Sequence, residues 1–375
     1  MRIKFICLIF ITLFSCSEDF SSEQLVKFEV SQKYSVDLSK VGLSSQLEFP
    51  VAISESDPNR FFIFNSFTRT IDTVSINEEI LSVSKGVEIP FEGPNGVESF
   101  NYFIEYENNF IFLDHNSVYI PNSFQIKRIQ FSKLPFAVDE KLEYVTRGNS
   151  ISDGFNFLNY KNSKIYLFFE TFDGFNKKLV SFDFINSDMK LIEFKLIEEF
   201  EDHIISFKEG SFLAQNPYLP MIKVEQDFLI ISYPFSSKFH KYQLINGSIQ
   251  DFSPTSKLFN SEKTKPNKNF DTSSFNDFKL ESDKWQDDVR FGSFFKLQGE
   301  LFYRLVKGRK DGDKSSKFIE VFDINLNKIG EADLSSIQPD LGAMSIPIGG
   351  KIFIKSKVQK SEDIMDYYLI TISKY

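Results

Sequence analysis

The chain of 375 residues is 42% hydrophobic and 16% aromatic, with 45 Phe against 17 Gly and 13 Pro. That composition suits a large core packed sheet on sheet and excludes wholesale disorder. Its 43 basic and 52 acidic residues give a formal net charge of −9, which makes the surface a poor binder of polyanions and excludes nucleic acid as a partner.

The N-terminus reads Met1-Arg2-Ile3-Lys4 and then an apolar stretch from Phe5 to Phe14, too short to span a bilayer as a helix and of the length of a secretory signal. Leu13-Phe14-Ser15-Cys16 resembles the lipobox of bacterial lipoproteins, which implies cleavage after Ser15 and a diacylglycerol on Cys16. An ordinary signal peptide with an incidental cysteine is the alternative. Cleavage removes Cys7, so Cys16 becomes the single cysteine, no disulfide is expected, and packing must hold the domain. It also removes Arg2 and Lys4, leaving 41 basic against 52 acidic residues, a net −11. Ser17-Glu18-Asp19 is similar to the short acidic signal that carries Bacteroidetes lipoproteins to the outer face of the outer membrane; a solvated acidic linker is the alternative. The expected organisation is a lipoprotein signal peptide at 1–15, a tether at 16–25 and one domain at 26–375, held at the outer membrane on its cell-surface or periplasmic face.

Six short apolar runs come next, beginning at Phe61 (FFIF), Asn109 (NFIFLDH), Lys164 (KIYLFFE), Asp227 (DFLIISY), Glu300 (ELFYRLV) and Lys351 (KIFIKSK). Their starts lie about 48 to 73 residues apart, the period of propeller blades with insertions. Turn-forming residues precede the runs, such as Asp57-Pro58-Asn59, Asn162-Ser163 and Gly349-Gly350, and a second apolar segment stands before each turn (PVAI, NYFIEY, NFLNY, MIKV, SFFKL, MSIPI). Runs as dense in aromatic and β-branched residues as Phe228-Leu229-Ile230-Ile231 fit strands buried on both faces rather than helices.

Each repeat is expected to hold four strands, A to D from the inside out. In the third these fall at 156–160, 164–170, 178–184 and 191–196; in the fourth at 221–225, 227–233, 239–244 and 249–252, with a turn at Ser236-Ser237; in the fifth at 293–297, 300–306, 318–324 and 328–334. The sixth repeat ends on its third strand, 366–373, and the strand-like segment 26–38 is expected to supply the fourth. The predicted fold is therefore all-β, a six-bladed β-propeller of four-stranded antiparallel blades closed by an N-terminal strand joining the last blade.

Neighbouring strands alternate in direction, so B-to-C loops and D-to-A connections share one face, the upper, while A-to-B and C-to-D turns share the lower. The upper face receives the charged loop Lys307–Lys314 and a long insertion at 253–292 between blades 4 and 5, expected to be a partly ordered flap. The flap holds Trp285, the single tryptophan, and Arg290; with Arg309 of the neighbouring loop these are candidate binding residues, because Trp and Arg most often dominate binding energy. The alternative for Trp285 is that it pins the flap to the propeller.

His115, His203 and His240 are the three histidines, and none has metal-ligand spacing to another His or to the mature cysteine. Asp114-His115 ends a B strand and is the best acid/base pair by position, which adds Asp114 and His115 to the candidate binding residues, with a solvated loop pair as the alternative. Asp311-Gly312-Asp313 and Phe172-Asp173-Gly174-Phe175 lack the further oxygen ligands of a calcium loop and read as turns. No nucleophile elbow, phosphate loop or dinucleotide fingerprint occurs. No catalytic residue, metal ligand or cofactor is assigned.

The lipobox, the six strand pairs, Ile231-Ser232-Tyr233-Pro234 and Phe302-Tyr303-Arg304 together resemble the uncharacterised Bacteroidetes lipoproteins with six-bladed, TolB-like propellers, over roughly residues 27–375. The resemblance implies the fold and brings no catalytic residues with it. The expected function is a lipid-anchored, monomeric binding or scaffold module that recognises a protein, peptide or glycan through the propeller mouth and the flap. The less favoured alternative is an extracytoplasmic enzyme acting on glycans or peptides at the mouth, for which convergent carboxylates and a positioned base would be diagnostic.

Overall fold

The computed structural model describes residues 25–374 apart from 47–49, 55, 78–79, 115, 123–124, 135–141, 145–156, 172–176, 187, 211, 217–218, 268–273, 298–299 and 313. Cys16, the tether as far as residue 24, and His115 lie outside the described residues.

All six predicted strand pairs are present as antiparallel A and B strands. They are Val51–Ile53 with Arg60–Asn65, Tyr102–Tyr106 with Asn109–Leu113, Leu158–Asn159 with Lys164–Thr171, Met221–Val224 with Phe228–Tyr233, Phe295–Leu297 with Leu301–Asp311, and Leu341–Ile348 with Lys351–Ser356. Outer strands complete four positions in every blade, giving a six-bladed propeller. In blades 3 and 5 the A position is split in two, Leu142–Tyr144 and Arg290–Phe291 pairing with the far ends of the same B strands.

The apolar runs have their cause in packing between blades. A B strand is covered on both faces, so alternate residues serve different interfaces. Phe61 and Ile63 pack with Phe353 and Tyr367 of blade 6, while Phe62 and Phe64 pack with Phe103 and Phe112 of blade 2. Ile165, Leu167 and Phe169 turn toward blade 2, and Tyr166 and Phe168 toward Leu229 and Ile231 of blade 4. Ile230 meets Phe302 of blade 5, whose neighbours Leu301 and Tyr303 meet Ile352 and Tyr368 of blade 6. Six clusters thus fill the six interfaces, each buried large side chain contributing about 1.5–3 kcal/mol.

Arg304 occupies one of these alternating positions and is fully buried. Its Nε donates to Glu320 Oε2 of the adjacent strand at 2.7 Å and its Nη2 to the Ser237 carbonyl of blade 4 at 3.0 Å, with the rings of Phe239, Phe291, Phe294 and Phe322 around the guanidinium at 4.9–5.7 Å. Glu320 Oε1 also meets Lys328 Nζ at 2.7 Å, and Lys328 binds Glu331 and the Thr255 carbonyl, so a charged chain runs from blade 4 through blade 5 to the root of the flap.

The ring closes as expected. Val26–Asp37 is the outermost strand of blade 6, antiparallel to Ile364–Lys374, in register from Val26↔Lys374 to Asp37↔Ile364 with one shift between Val30 and Lys33. Three details differ from the sequence reading. The blade 4 B-to-C turn is Pro234-Phe235, since Tyr233 already pairs with Ser236. Lys307–Lys314 is the tip of a long hairpin paired out to Asp311↔Lys314, because only the turn at Gly312, with φ +57, needs loop chemistry. The fourth strand of blade 3 is Asp188–Ile192, earlier than 191–196.

The flap contains a helix, α1 (Phe275–Asp287), begun by a capping box in which Ser274 and Asp277 bind each other's backbone N–H groups. A second insertion, between blades 3 and 4, forms the hairpin Ser206–Glu209 with Phe212–Gln215, and Phe207 and Phe212 of that hairpin meet Phe275 of α1.

Candidate functional site

The A strands are innermost, so their side chains and the A-to-B turns line the central channel. At the lower face the channel holds a cavity of about 650 Å³ to which all six blades contribute. Among the described residues its charged lining comes from three consecutive blades: Lys161 from blade 3, Lys223 and Glu225 from blade 4, Lys296 and Glu300 from blade 5. Blades 6, 1 and 2 contribute mainly apolar or side-chain-free surface, including Ile53, Phe103, Ile104, Ile348 and the Gly349-Gly350 turn.

Glu225 joins two of the lysines, its Oε1 lying 3.1 Å from Lys223 Nζ and its Oε2 2.7 Å from Lys296 Nζ. Asn159 holds the blade 4 turn in place by donating from Nδ2 to the carbonyls of Glu225 and Gln226, both at 3.0 Å. Lys161 is well exposed and meets Asp227 at 3.5 Å, a surface pair worth only about 0–1 kcal/mol. On the apolar side Gly349 and Gly350 have φ of +59 and +77, and a Cβ on Gly349 would stand 3.1 Å from Asn59 Oδ1, so the tight turn requires glycine. Under the rim Ser54 Oγ donates to the buried Glu105 at 2.7 Å, tying blade 1 to blade 2. This arrangement can hold a ligand by ammonium groups on one side and apolar contact on the other.

The upper face is organised around the flap. Phe278 and Trp285, seven residues apart on one side of α1, are buried against Phe207, Tyr233 and Phe235. Trp285 Nε1 donates to His203 Nδ1 at 3.4 Å, which leaves the imidazole proton on Nε2, 3.4 Å from Glu262 Oε1; the His203 ring stacks on Phe235 at 4.3 Å. Burial holds His203 below its ordinary range, opposed by Glu262. Lys263 Nζ sits 4.2 Å from the Trp285 ring centre and donates to the carbonyls of Trp285 at 2.5 Å and Asp288 at 3.3 Å. Burial pulls its ammonium down to about 7, against the attraction of Asp288. Among the described residues no group of three His, Cys, Asp or Glu could hold a metal ion.

The sequence-predicted binding residues that the structure describes all fall on this upper face. Trp285 is only 5% exposed, Arg290 is half-buried and Arg309 is exposed on the hairpin tip. The tip and the flap adjoin as expected, with Lys310 Nζ 3.6 Å from Asp287. Asp114 is half-buried and accepts from Ser99 Oγ at 2.9 Å. None of these four lines the cavity, which opens on the opposite face.

A family model described as a domain of unknown function, DUF4221, matches residues 18–333. The chain belongs to the DUF4221 family. A DUF4221 member from Bacteroides vulgatus, solved by crystallography, is 13% identical, with a TM-score of 0.66 over 94% of this chain and 100% of that one. A luciferin-regenerating enzyme is 8% identical at a TM-score of 0.42, covering 92% of this chain and 98% of its own. YCF48 from Cyanidioschyzon merolae is 11% identical at 0.37, covering 90% and 98%. None of the curated proteins matches the chain. For this DUF4221 protein the cavity residues Lys161, Lys223, Glu225 and Lys296 carry a signal in the sequence. They are charges inside or just after A segments that otherwise read as apolar (NFLNYK, MIKVE, SFFKL), and innermost strands put such charges on the channel.

Proposed function

We propose that this protein is a lipid-anchored, extracytoplasmic binding module that takes its ligand in the lower end of the propeller channel. The observation that supports this reading is the cavity itself: about 650 Å³, within the range of small-ligand sites, with a rim fixed by hydrogen bonds between blades and convergent ammonium groups on one side. A small molecule, or the end of a peptide or glycan, fits that volume. The anchor in this reading is acylated Cys16, and the location is the outer membrane, on its cell-surface or periplasmic face.

Strand direction relates anchor and site. Val26–Asp37 starts beside Lys374, at the lower face, and runs toward the upper. Residues 17–25, extended, reach at most about 30 Å, so an anchor at Cys16 would hold the cavity mouth toward the membrane. To test the site, the protein is incubated with a cell-envelope extract, washed and denatured, and the released compounds are identified by mass spectrometry. A ligand retained by the wild type and by Trp285→Ala but lost from Pro58→Trp, which places an indole over the rim, is expected. A ligand lost from Trp285→Ala and kept by Pro58→Trp would move the site to the upper face. Cys16→Ala should leave the membrane fraction and lose fatty-acid labelling.

A further inference from the structure

The distribution of charge inside the cavity narrows the ligand class, an inference that rests on the channel being the binding site. We propose that the cavity binds a small amphiphilic acid: an anionic head held by Lys161, Lys223 and Lys296, and an apolar body laid against Ile53 and Pro58. Among the described residues every charged group on the lining belongs to blades 3 to 5, and the sum there is +1, three lysines against Glu225 and Glu300, inside a chain whose net charge is −9. A cationic sector in an acidic protein selects anions by contrast with its surroundings, and a cavity wall of low dielectric strengthens that selection.

The lysines retain donors for such a head. Lys223 gives one N–H to Glu225 and one to the Val224 carbonyl at 3.2 Å, Lys296 gives one to Glu225, and an ammonium has three N–H groups, so each keeps at least one. Lys161 exchanges an exposed 3.5 Å contact with Asp227 at little cost. Glu225 pre-positions Lys223 and Lys296 and, being joined to both, leaves that triad with a net positive charge. On the opposite side half-buried Ile53 and exposed Pro58 of blade 1 offer accessible hydrocarbon, backed by Phe103, Ile104 and Ile348, which are 1%, 4% and 2% exposed. A neutral sugar would leave the ammonium groups without an anion, and a free inorganic anion would leave the apolar side facing water. The chain also enters the ring at the cavity's own face, so a membrane anchor would present the mouth to the surface where amphiphiles collect.

The test is titration calorimetry with decanoate, decanol and acetate on the purified protein, with Lys161→Met/Lys296→Met and Pro58→Trp as variants. Decanoate should bind at least tenfold tighter than decanol or acetate, lose at least tenfold in affinity in the double-lysine variant, and lose all binding in Pro58→Trp. Each variant's thermal midpoint serves as the folding control. Equal binding of decanol and decanoate, both blocked by Pro58→Trp, would overturn the acid while leaving the cavity as the site. Decanoate binding that survives Pro58→Trp would overturn both readings. No decanoate binding to the wild type would overturn the inference.

Discussion

Removing Glu320 should harm this protein more than removing Arg304. The guanidinium is fully buried, cannot give up its proton, and among the described residues has Glu320 as its anion, while its Nη1 has no acceptor. Glu320→Gln therefore strands a buried charge, a change that costs about 3–5 kcal/mol. In Arg304→Met the carboxylate keeps Lys328 at 2.7 Å and the methionine fills the stem's place among Phe239, Phe291, Phe294 and Phe322. The chief loss is the hydrogen bond to the Ser237 carbonyl, about 1–2 kcal/mol. The double variant Arg304→Met/Glu320→Met removes both charges, and Lys328 can still use Glu331 and the Thr255 carbonyl. It should lie within about 2 kcal/mol of the wild type, because apolar replacement of a whole buried pair is often neutral. At about 2 °C per kcal/mol, the thermal midpoint should fall by about 6–10 °C in Glu320→Gln and by about 2–4 °C in Arg304→Met. A larger loss in Arg304→Met, or a double variant that loses the sum of the two, would refute the reasoning.

Trp285→Ala opens a large hole under the flap and removes the His203 and Lys263 contacts, about 3–5 kcal/mol of local packing, and should expose 253–292 to protease while hydrogen exchange in the blade cores stays slow. Acid should loosen the same region: His203 is held below 6.5 in the fold, so as pH falls beneath 6.5 the unfolded state takes a proton that the native state refuses, and a proton on Nδ1 would face the Trp285 N–H; protease sensitivity of the flap at pH 5 against pH 7.5 checks this. Burial also pulls Lys263 and Lys317 down to about 7, so between about 7 and 10.5 the unfolded state binds more protons and stability should rise with pH, by up to about 1.4 kcal/mol per unit for each lysine; a urea midpoint that climbs from pH 7.5 to 9.5, and climbs less in Lys263→Met, is expected. Deleting 26–37 should strip the outer strand from blade 6, expose the edge of Ile364–Lys374 and lower the thermal midpoint of the whole ring; an unchanged midpoint would contradict closure.

The blades are legible in the sequence because their B strands are buried on both faces: Phe61 to Phe64, Ile230 and its neighbours, and Leu301 to Tyr303 each serve two interfaces, which writes an unbroken apolar run into the chain. The closing strand is legible by elimination, since blade 6 lacks a fourth partner and Val26–Asp37 lacks a first. The hairpin tip at 307–311 is not, because its cross-strand hydrogen bonds impose no apolar pattern on exposed lysines and arginines. Helix α1 escapes a reading by periodicity although Ser274 and Asp277 form a capping box, since few apolar residues come after it and, of these, Phe278 and Trp285 are buried while Phe275 and Leu280 are exposed. Strand direction puts the flap, Trp285, Arg290 and Arg309 on one face correctly. It cannot show that a cavity lies at the other face, because cavity volume depends on how six A strands lean around the axis, which no single segment encodes.

The claim that the lower channel mouth is where this protein binds can be tested directly by photo-crosslinking in cells. One photoreactive residue is placed at position 58, on the rim of the cavity, and another at position 309, on the upper hairpin tip. A light-dependent adduct at 58 that is absent at 309, and that disappears when Lys161 and Lys296 are replaced by methionine, is the predicted result; an adduct at 309 alone would put the working face on the side of the flap.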